Sequence, residues 1–129
     1  MAMAGTEGAV RFPGLRVLVV EDEFLVTMLI EDMLADLGCK IVGTASTVSE
    51  ALDLVNNSEA DVAILDIKLG GETCYPVATV LADRGTPIVF ATAYAEQQIE
   101  QLWHGVPRMP KPFTAAQLAA ALTRIVGPA

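Results

Sequence analysis

Val62-Ala63-Ile64-Leu65-Asp66-Ile67-Lys68-Leu69-Gly70-Gly71 is the stretch on which the reading of this chain turns. The run from Val62 to Ile67 is apolar at every position except Asp66, the pattern of a strand covered on both faces. Burying an ionised carboxylate without a partner costs several kcal/mol at least. Asp66 therefore either emerges at the open end of a buried strand, where it can do chemistry, or the strand reading is wrong.

The flanking sequence supports the first alternative. Upstream, Leu15 to Val20 (LRVLVV) is a short β-branched apolar run that reads as another buried strand. In the segment that follows, Val26, Leu29, Ile30, Met33, Leu34 and Leu37 recur at helical spacing, and Gly38 is a good stop. CKIVGTA (39–45) reads as a strand, and STVSEALDLVNN (46–57) as a helix with Ser46 or Thr47 as N-cap and Glu50 in capping-box range.

Downstream, TCYPVATVLADRG (73–85) is mostly helical, with Pro76 tolerable only in the first turn and Gly85 at the end. PIVFATA (87–93) is a strand, AEQQIEQLWHG (95–105) a short helix, and VPRMP (106–110) a weak strand whose prolines suggest a sheet edge. TAAQLAAALTRIVG (114–127) closes the chain as a helix with Thr114 as N-cap and Leu118, Ala121, Leu122 and Ile125 on one face.

Strand and helix thus alternate five times with no linker or repeat between them. Right-handed crossovers then produce an α/β fold, a doubly wound five-stranded parallel sheet in a single domain. The flavodoxin-like strand order 2-1-3-4-5 is expected from the element count, and in such sheets ligands sit at the carboxyl ends of the strands.

The bulk numbers agree with one compact unit. The chain has 129 residues, 53% of them hydrophobic, with a formal net charge of −8 and a pI near 4.4. That charge opposes nucleic acid and anionic membrane surfaces as partners and favours a basic partner or a bound cation. Cys39 and Cys74 show no metal-ligand spacing and read as reduced, half-buried thiols. Residues 1–14 are weakly patterned and are expected to be a tail, with the folded unit at 15–126 and a second short tail at 127–129. No cationic flank with an apolar core marks a signal peptide, and no apolar run reaches membrane-spanning length. A soluble, cytoplasmic protein is expected.

The strand ends collect the polar chemistry. The first strand ends in Glu21-Asp22, the third in Asp66 and the fourth near Thr92, while Lys111-Pro112 follows the fifth. If the sheet is right, three carboxylates, a hydroxyl and an ammonium meet on one edge. Carboxylates that close repel one another unless a cation intervenes, and an all-oxygen donor set suits Mg²⁺. With a cation present Asp66 can stay ionised and act as a nucleophile toward phosphorus. The cation, the Lys111 ammonium and the Thr92 hydroxyl would then hold the transferring oxygens.

VLVVEDE, DVAILDI, VFATAY and KPFT, in this order and spacing, resemble the receiver domain of two-component response regulators from about Leu15 to Val126. The resemblance implies that Asp66 is the phosphoacceptor. It implies that Glu21 and Asp22 are the acidic pair for Mg²⁺, Asp22 the more direct ligand, with Asp66 and the backbone carbonyl of Lys68 completing the protein ligands. Thr92 corresponds to the switch hydroxyl, and Lys111 to the lysine often followed by a cis bond, here to Pro112.

The departures are also informative. Arg108 stands where receivers carry a switch aromatic, Gly70 where they carry Pro, and the Thr92–Lys111 interval suggests a shortened fourth helix. LDIKLGGE (65–72) with YPVA (75–78), PIVFATAY (87–94) and KPF (111–113) together resemble the alphaproteobacterial FAT GUY subgroup, with Ala93 in place of its Gly, and the missing aromatic at Arg108 makes Tyr94 the candidate switch residue. The resemblance implies a phosphoryl donor that is a sensor histidine kinase, of HWE or HisKA2 type, or a histidine phosphotransfer protein. The protein is expected to be a stand-alone receiver that signals through a downstream protein or acts as a phosphate sink. It is expected to catalyse only its own phosphorylation and dephosphorylation, without nucleic acid or membrane partners.

Three other readings fit the residues less well. An aspartyl-nucleophile phosphatase of haloacid dehalogenase type needs a second acid two residues past the nucleophile, where this chain has Lys68. A flavodoxin-like nucleotide binder needs a Gly-, Ser- or Thr-rich phosphate loop, where this chain has Glu21-Asp22-Glu23. A pseudo-receiver that only docks is disfavoured because every pocket position is filled.

Overall fold

The computed structural model describes residues 11–93 and 98–127. The elements along the chain are β1 (Arg16–Val20), α1 (Phe24–Asp36), β2 (Lys40–Ala45), α2 (Val48–Asn57), β3 (Val62–Leu65), β4 (Lys68–Leu69), β5 (Glu72–Thr73), α3 (Tyr75–Asp83), β6 (Ile88–Thr92), a 3₁₀ turn (Gln101–Trp103), β7 (Arg108–Pro110) and α4 (Ala115–Val126). The main sheet runs β2-β1-β3-β6-β7, all parallel. This is the expected flavodoxin-like order, once the separate β4–β5 hairpin is set aside.

The two faces of the sheet are covered by different helices because side chains alternate along each strand. Val17, Val19, Ile64 and Val89 point to the face covered by α1 and α4, where they pack with Ile30, Leu34, Leu118 and Leu122. Leu18, Val20, Leu65 and Phe90 point the other way, to α2 and α3, and meet Ala51, Val55, Val77 and Leu81. Burial on both sides explains why β1, β3 and β6 are continuously apolar. At the edge, β2 slips its register between Val17 and Leu18 of β1. There Gly43 lies under Leu54 so closely that a Cβ would come within 2.8 Å of Leu54 Cδ2.

Local signals set the helix ends. The Thr47 side chain caps α2 by accepting the Glu50 N–H at 3.1 Å, which decides between Ser46 and Thr47. Thr114 and Gln117 form a reciprocal capping box at the start of α4. Pro76 sits in the first turn of α3, where a missing N–H costs nothing.

Three expectations change in detail. Of the expected tail, residues 11–14 are described: Phe12 is buried while Arg11, Pro13 and Gly14 are exposed, and the Arg11 and Phe12 N–H groups both donate to Leu37 O. The segment expected as a short helix from 95 to 105 shows, among its described residues, one 3₁₀ turn at Gln101–Trp103. Trp103 dictates this: its ring stacks on Tyr75 at 5.9 Å and meets Phe90 edge-on at 6.2 Å. Cys74, expected to be half-buried, is fully enclosed in the core beside α3, whereas Cys39 is half-buried as expected; both are free thiols.

Candidate functional site

Each site residue is held where its strand runs out. The Asp66 N–H donates to Val20 O at 2.9 Å, so the backbone still pairs with β1 one residue past β3 while the side chain turns to the rim. The Glu21 N–H donates to Ala45 O, extending β1 in the same way. Thr92 is the last residue of β6, and its carbonyl accepts the Lys111 N–H at 3.1 Å. That bond joins the end of β6 to the residue following β7. The Lys111–Pro112 peptide is cis.

These placements bring Glu21, Asp22, Asp66 and Lys111 together. The Lys111 ammonium lies 2.9 Å from Asp66 Oδ2, 2.9 Å from Glu21 Oε1 and 3.2 Å from Glu23 Oε1. Glu21, Asp66 and Thr92 are the buried polar residues among those described. One oxygen each of Glu21, Asp22, Glu23 and Asp66 lie within 4.8 Å of one another.

Hydrogen bonding in this cluster is unevenly shared. Glu21 Oε2 accepts from both the Lys111 ammonium and the Glu23 N–H, each at 3.1 Å. Glu21 Oε1 is buried and near Lys111 but receives no hydrogen bond of acceptable geometry. An ammonium has three protons, and here they are divided among three carboxylates. A buried carboxylate oxygen left over, in an all-oxygen donor set, is the environment that a hard divalent cation fits.

The electrostatics point the same way. Burial pushes the Glu21 carboxyl up to about 7; Lys111 opposes the rise and the Asp66 charge adds to it. Burial alone would lower the Lys111 ammonium, but its hydrogen bonds and charge attraction to Asp66 and Glu21 outweigh that and raise it. The rim is therefore crowded with negative charge that one lysine does not fully offset.

The remaining candidates fall as follows. The Lys68 side chain is exposed, and its N–H donates to Asp66 Oδ1 at 3.3 Å. Tyr94 lies outside the described residues. Glu23, a third acid on Lys111, was not singled out from the sequence, although it ends the quoted VLVVEDE run. The hairpin that carries Lys68 was also missed; its signal was Gly70-Gly71 between two short segments. A cavity of about 710 Å³ lined by Arg16, Asn57 and Arg84 lies at the opposite ends of the strands, away from this cluster. No helix among the described residues is long and apolar enough to cross a membrane.

Comparison with known proteins agrees with this geometry. The chain is 32% identical over 111 residues to the transcriptional regulatory protein PdtaR of Mycobacterium tuberculosis, covering 83% of this chain and 54% of PdtaR. It is 30% identical over 112 residues to the phyllosphere-induced regulator PhyR of Methylorubrum extorquens, covering 84% of this chain and 42% of PhyR. The chain thus spans about half the length of the curated relatives it matches. Among solved structures, SdrG from Sphingomonas melonis superposes with a TM-score of 0.79 at 41% identity, over 88% of this chain and 97% of SdrG. The response regulator PhyR from Brucella abortus does so with a TM-score of 0.78 at 29% identity, over 92% of this chain and 50% of that one. Residues 17–123 match the response regulator receiver domain, and with these carboxylates and this lysine gathered at the strand ends the chain belongs to that family.

Proposed function

We propose that this receiver domain takes a phosphoryl group onto Asp66 from a phosphohistidine, in the cytoplasm, with Mg²⁺ as cofactor. The observation that carries the reading is the buried Asp66 carboxylate 2.9 Å from Lys111 Nζ, beside a buried Glu21 oxygen with no hydrogen bond. In the transfer an Asp66 oxygen attacks phosphorus, the P–N bond of the donor breaks, and the imidazole leaves with the bonding pair. The product is an acyl phosphate on Asp66, which water later cleaves to inorganic phosphate and the free carboxylate.

The chain's own groups have distinct parts in this. Lys111 holds Asp66 in place and meets the charge on the incoming phosphoryl oxygens. Thr92, at the end of β6, supplies a hydroxyl that moves toward the modified Asp66. Glu21, Asp22, Asp66 and the Lys68 carbonyl would hold the cation, which would neutralise phosphoryl charge. Tyr94 is the candidate that responds to the Thr92 movement.

The donor is a sensor histidine kinase, of the HWE or HisKA2 type, or a histidine phosphotransfer protein. Phe24, Leu25, Met28 and Leu29 stand exposed on α1, which begins directly after the acidic loop. Any protein that delivers a phosphoryl group to Asp66 must cover this rim. Downstream, the phosphorylated form either binds a partner protein or returns its phosphoryl group to water as a sink. A solved relative is described as the BeF₃-activated conformation of SdrG, at 42% identity. Two residues past Asp66, where an aspartyl phosphatase needs its second acid, stands Lys68.

Incubation with Mg²⁺ and a small acyl phosphate, followed by intact-mass measurement, tests the reading. The wild type gains one phosphoryl group; Asp66→Asn, or wild type with the cation chelated, gains none. Equal labelling of wild type and Asp66→Asn would overturn it.

A further inference from the structure

The β4–β5 hairpin rises directly past Asp66 and turns on Gly70-Gly71. At its tip the Gly70 N–H donates to Asp22 Oδ2 at 2.9 Å, across a separation of 48 residues. Gly70 has φ +62, and a Cβ there would meet open space. What position 70 requires is thus a left-handed backbone and an N–H, not a lack of bulk.

Asp22 is exposed on the loop between β1 and α1, where an unrestrained carboxylate would sample several rotamers. The Gly70 amide holds one of its two oxygens, and the carboxylate offers one oxygen to a cluster with Glu21, Glu23 and Asp66 in which the ligand atoms lie within 4.8 Å of one another. Carboxylates that ligate metals are themselves held by hydrogen bonds from an outer shell, and losing such a partner typically weakens metal binding about 10–100-fold.

We infer that the Gly70 backbone amide is a positioning group for the divalent cation site, holding the Asp22 carboxylate in place beside Glu21 and Asp66. The inference rests on the cation reading above, which is supported independently by the buried Glu21 oxygen that lacks a hydrogen bond. The bond works in both directions. A hairpin with two residues per strand is marginal by itself, and its tip is tied to the fold through Asp22. A cation that fixes Asp22 therefore also steadies the loop over the phosphoacceptor.

Calorimetric titration with Mg²⁺ alone, paired with amide hydrogen exchange, tests this. Gly70→Pro removes the N–H and cannot reach a positive φ, so it weakens Mg²⁺ binding about tenfold or more. Gly70→Asn keeps the N–H, tolerates the left-handed region and restores affinity toward wild type. In the wild type the Gly70 amide exchanges slowly despite its exposed turn, and Asp22→Ala removes that protection. A folded Gly70→Pro that binds Mg²⁺ like wild type overturns the inference while leaving the cation site standing. No Mg²⁺ binding by the wild type overturns both. Should Gly70→Pro fail to fold, rapid exchange of the wild-type Gly70 amide, with and without Mg²⁺, is the overturning result.

Discussion

Lys111 Nζ lies 2.9 Å from Glu21 Oε1, yet burial still pushes the Glu21 carboxyl up to about 7. Its folded-state pKa is above its ordinary value, so the folded protein binds this proton more tightly than the unfolded chain does. The stabilisation is present below the ordinary value near 4.5 and is lost as pH rises through about 7. The size of the effect is on the order of 3 kcal/mol. Under the proposed function a divalent cation would bind the ionised form and offset the loss. Added Mg²⁺ should thus raise the melting temperature more at about pH 8 than at about pH 5. Equal gains at both would contradict this account.

Replacing Lys111 with Met leaves Glu21 and Asp66 buried against each other without their shared cation. Breaking a buried ion pair from one side costs about 3–5 kcal/mol. Urea unfolding of Lys111→Met without Mg²⁺ should show a loss of that order, and Mg²⁺ should recover part of it because it supplies the missing charge. No loss would mean that the lysine is structurally dispensable.

The exposed face of α1 allows donor docking to be tested apart from chemistry. Leu25 is 77% exposed, so Leu25→Glu should change stability by less than about 0.5 kcal/mol. Phosphotransfer from the cognate kinase should fall about tenfold, equivalent to ~1.4 kcal/mol. Labelling by a small acyl phosphate should stay at the wild-type rate, because that donor needs no protein surface. A parallel fall with both donors would place the effect in the pocket instead.

Trp103 pins the described residues that precede β7 to α3 through its stack with Tyr75. The Glu100 N–H adds a bond to the Tyr75 hydroxyl at 3.1 Å. Trp103→Ala should destabilise the fold by about 3–5 kcal/mol in denaturant unfolding. A loss below about 1 kcal/mol would show that the segment is held by other contacts.

Burial pushes the Cys39 thiol up to about 11, and burial with the nearby Asp66 charge pushes Cys74 up to about 12. Thiolate is scarce in both at neutral pH. Alkylation of the native protein should be slow at each, slower at the fully buried Cys74, and rapid at both after unfolding. Fast native labelling of Cys74 would contradict its place in the core.

The order of strands and helices was readable because it depends on local patterning. The runs around Val20, Leu65 and Phe90 are apolar on both faces, α2 and α4 carry threonine caps, and α1, α3 and α4 end at glycines. Alternation of the two kinds of element, with right-handed crossovers, then leaves few topologies. The same patterning assigns Glu21, Asp22, Asp66, Thr92 and Lys111 to one edge of the sheet.

Other features depend on contacts between residues far apart in the chain, and no local pattern encodes them. The 3₁₀ turn at Gln101–Trp103 reads as helix in isolation, and only the Tyr75 and Phe90 rings reveal why Trp103 turns inward. Phe12 looks like part of a tail until the Leu37 carbonyl is seen to accept its N–H. Glu23 becomes a partner of Lys111, and Gly70 of Asp22, only when the loops after β1 and β3 are brought face to face. By itself the sequence determined which residues end the strands, Glu21, Asp66 and Thr92 among them, because strand periodicity and the alternation of elements are local patterns. Which oxygen each proton meets was decided by the tertiary structure, because hydrogen-bond geometry is set by the meeting of distant segments.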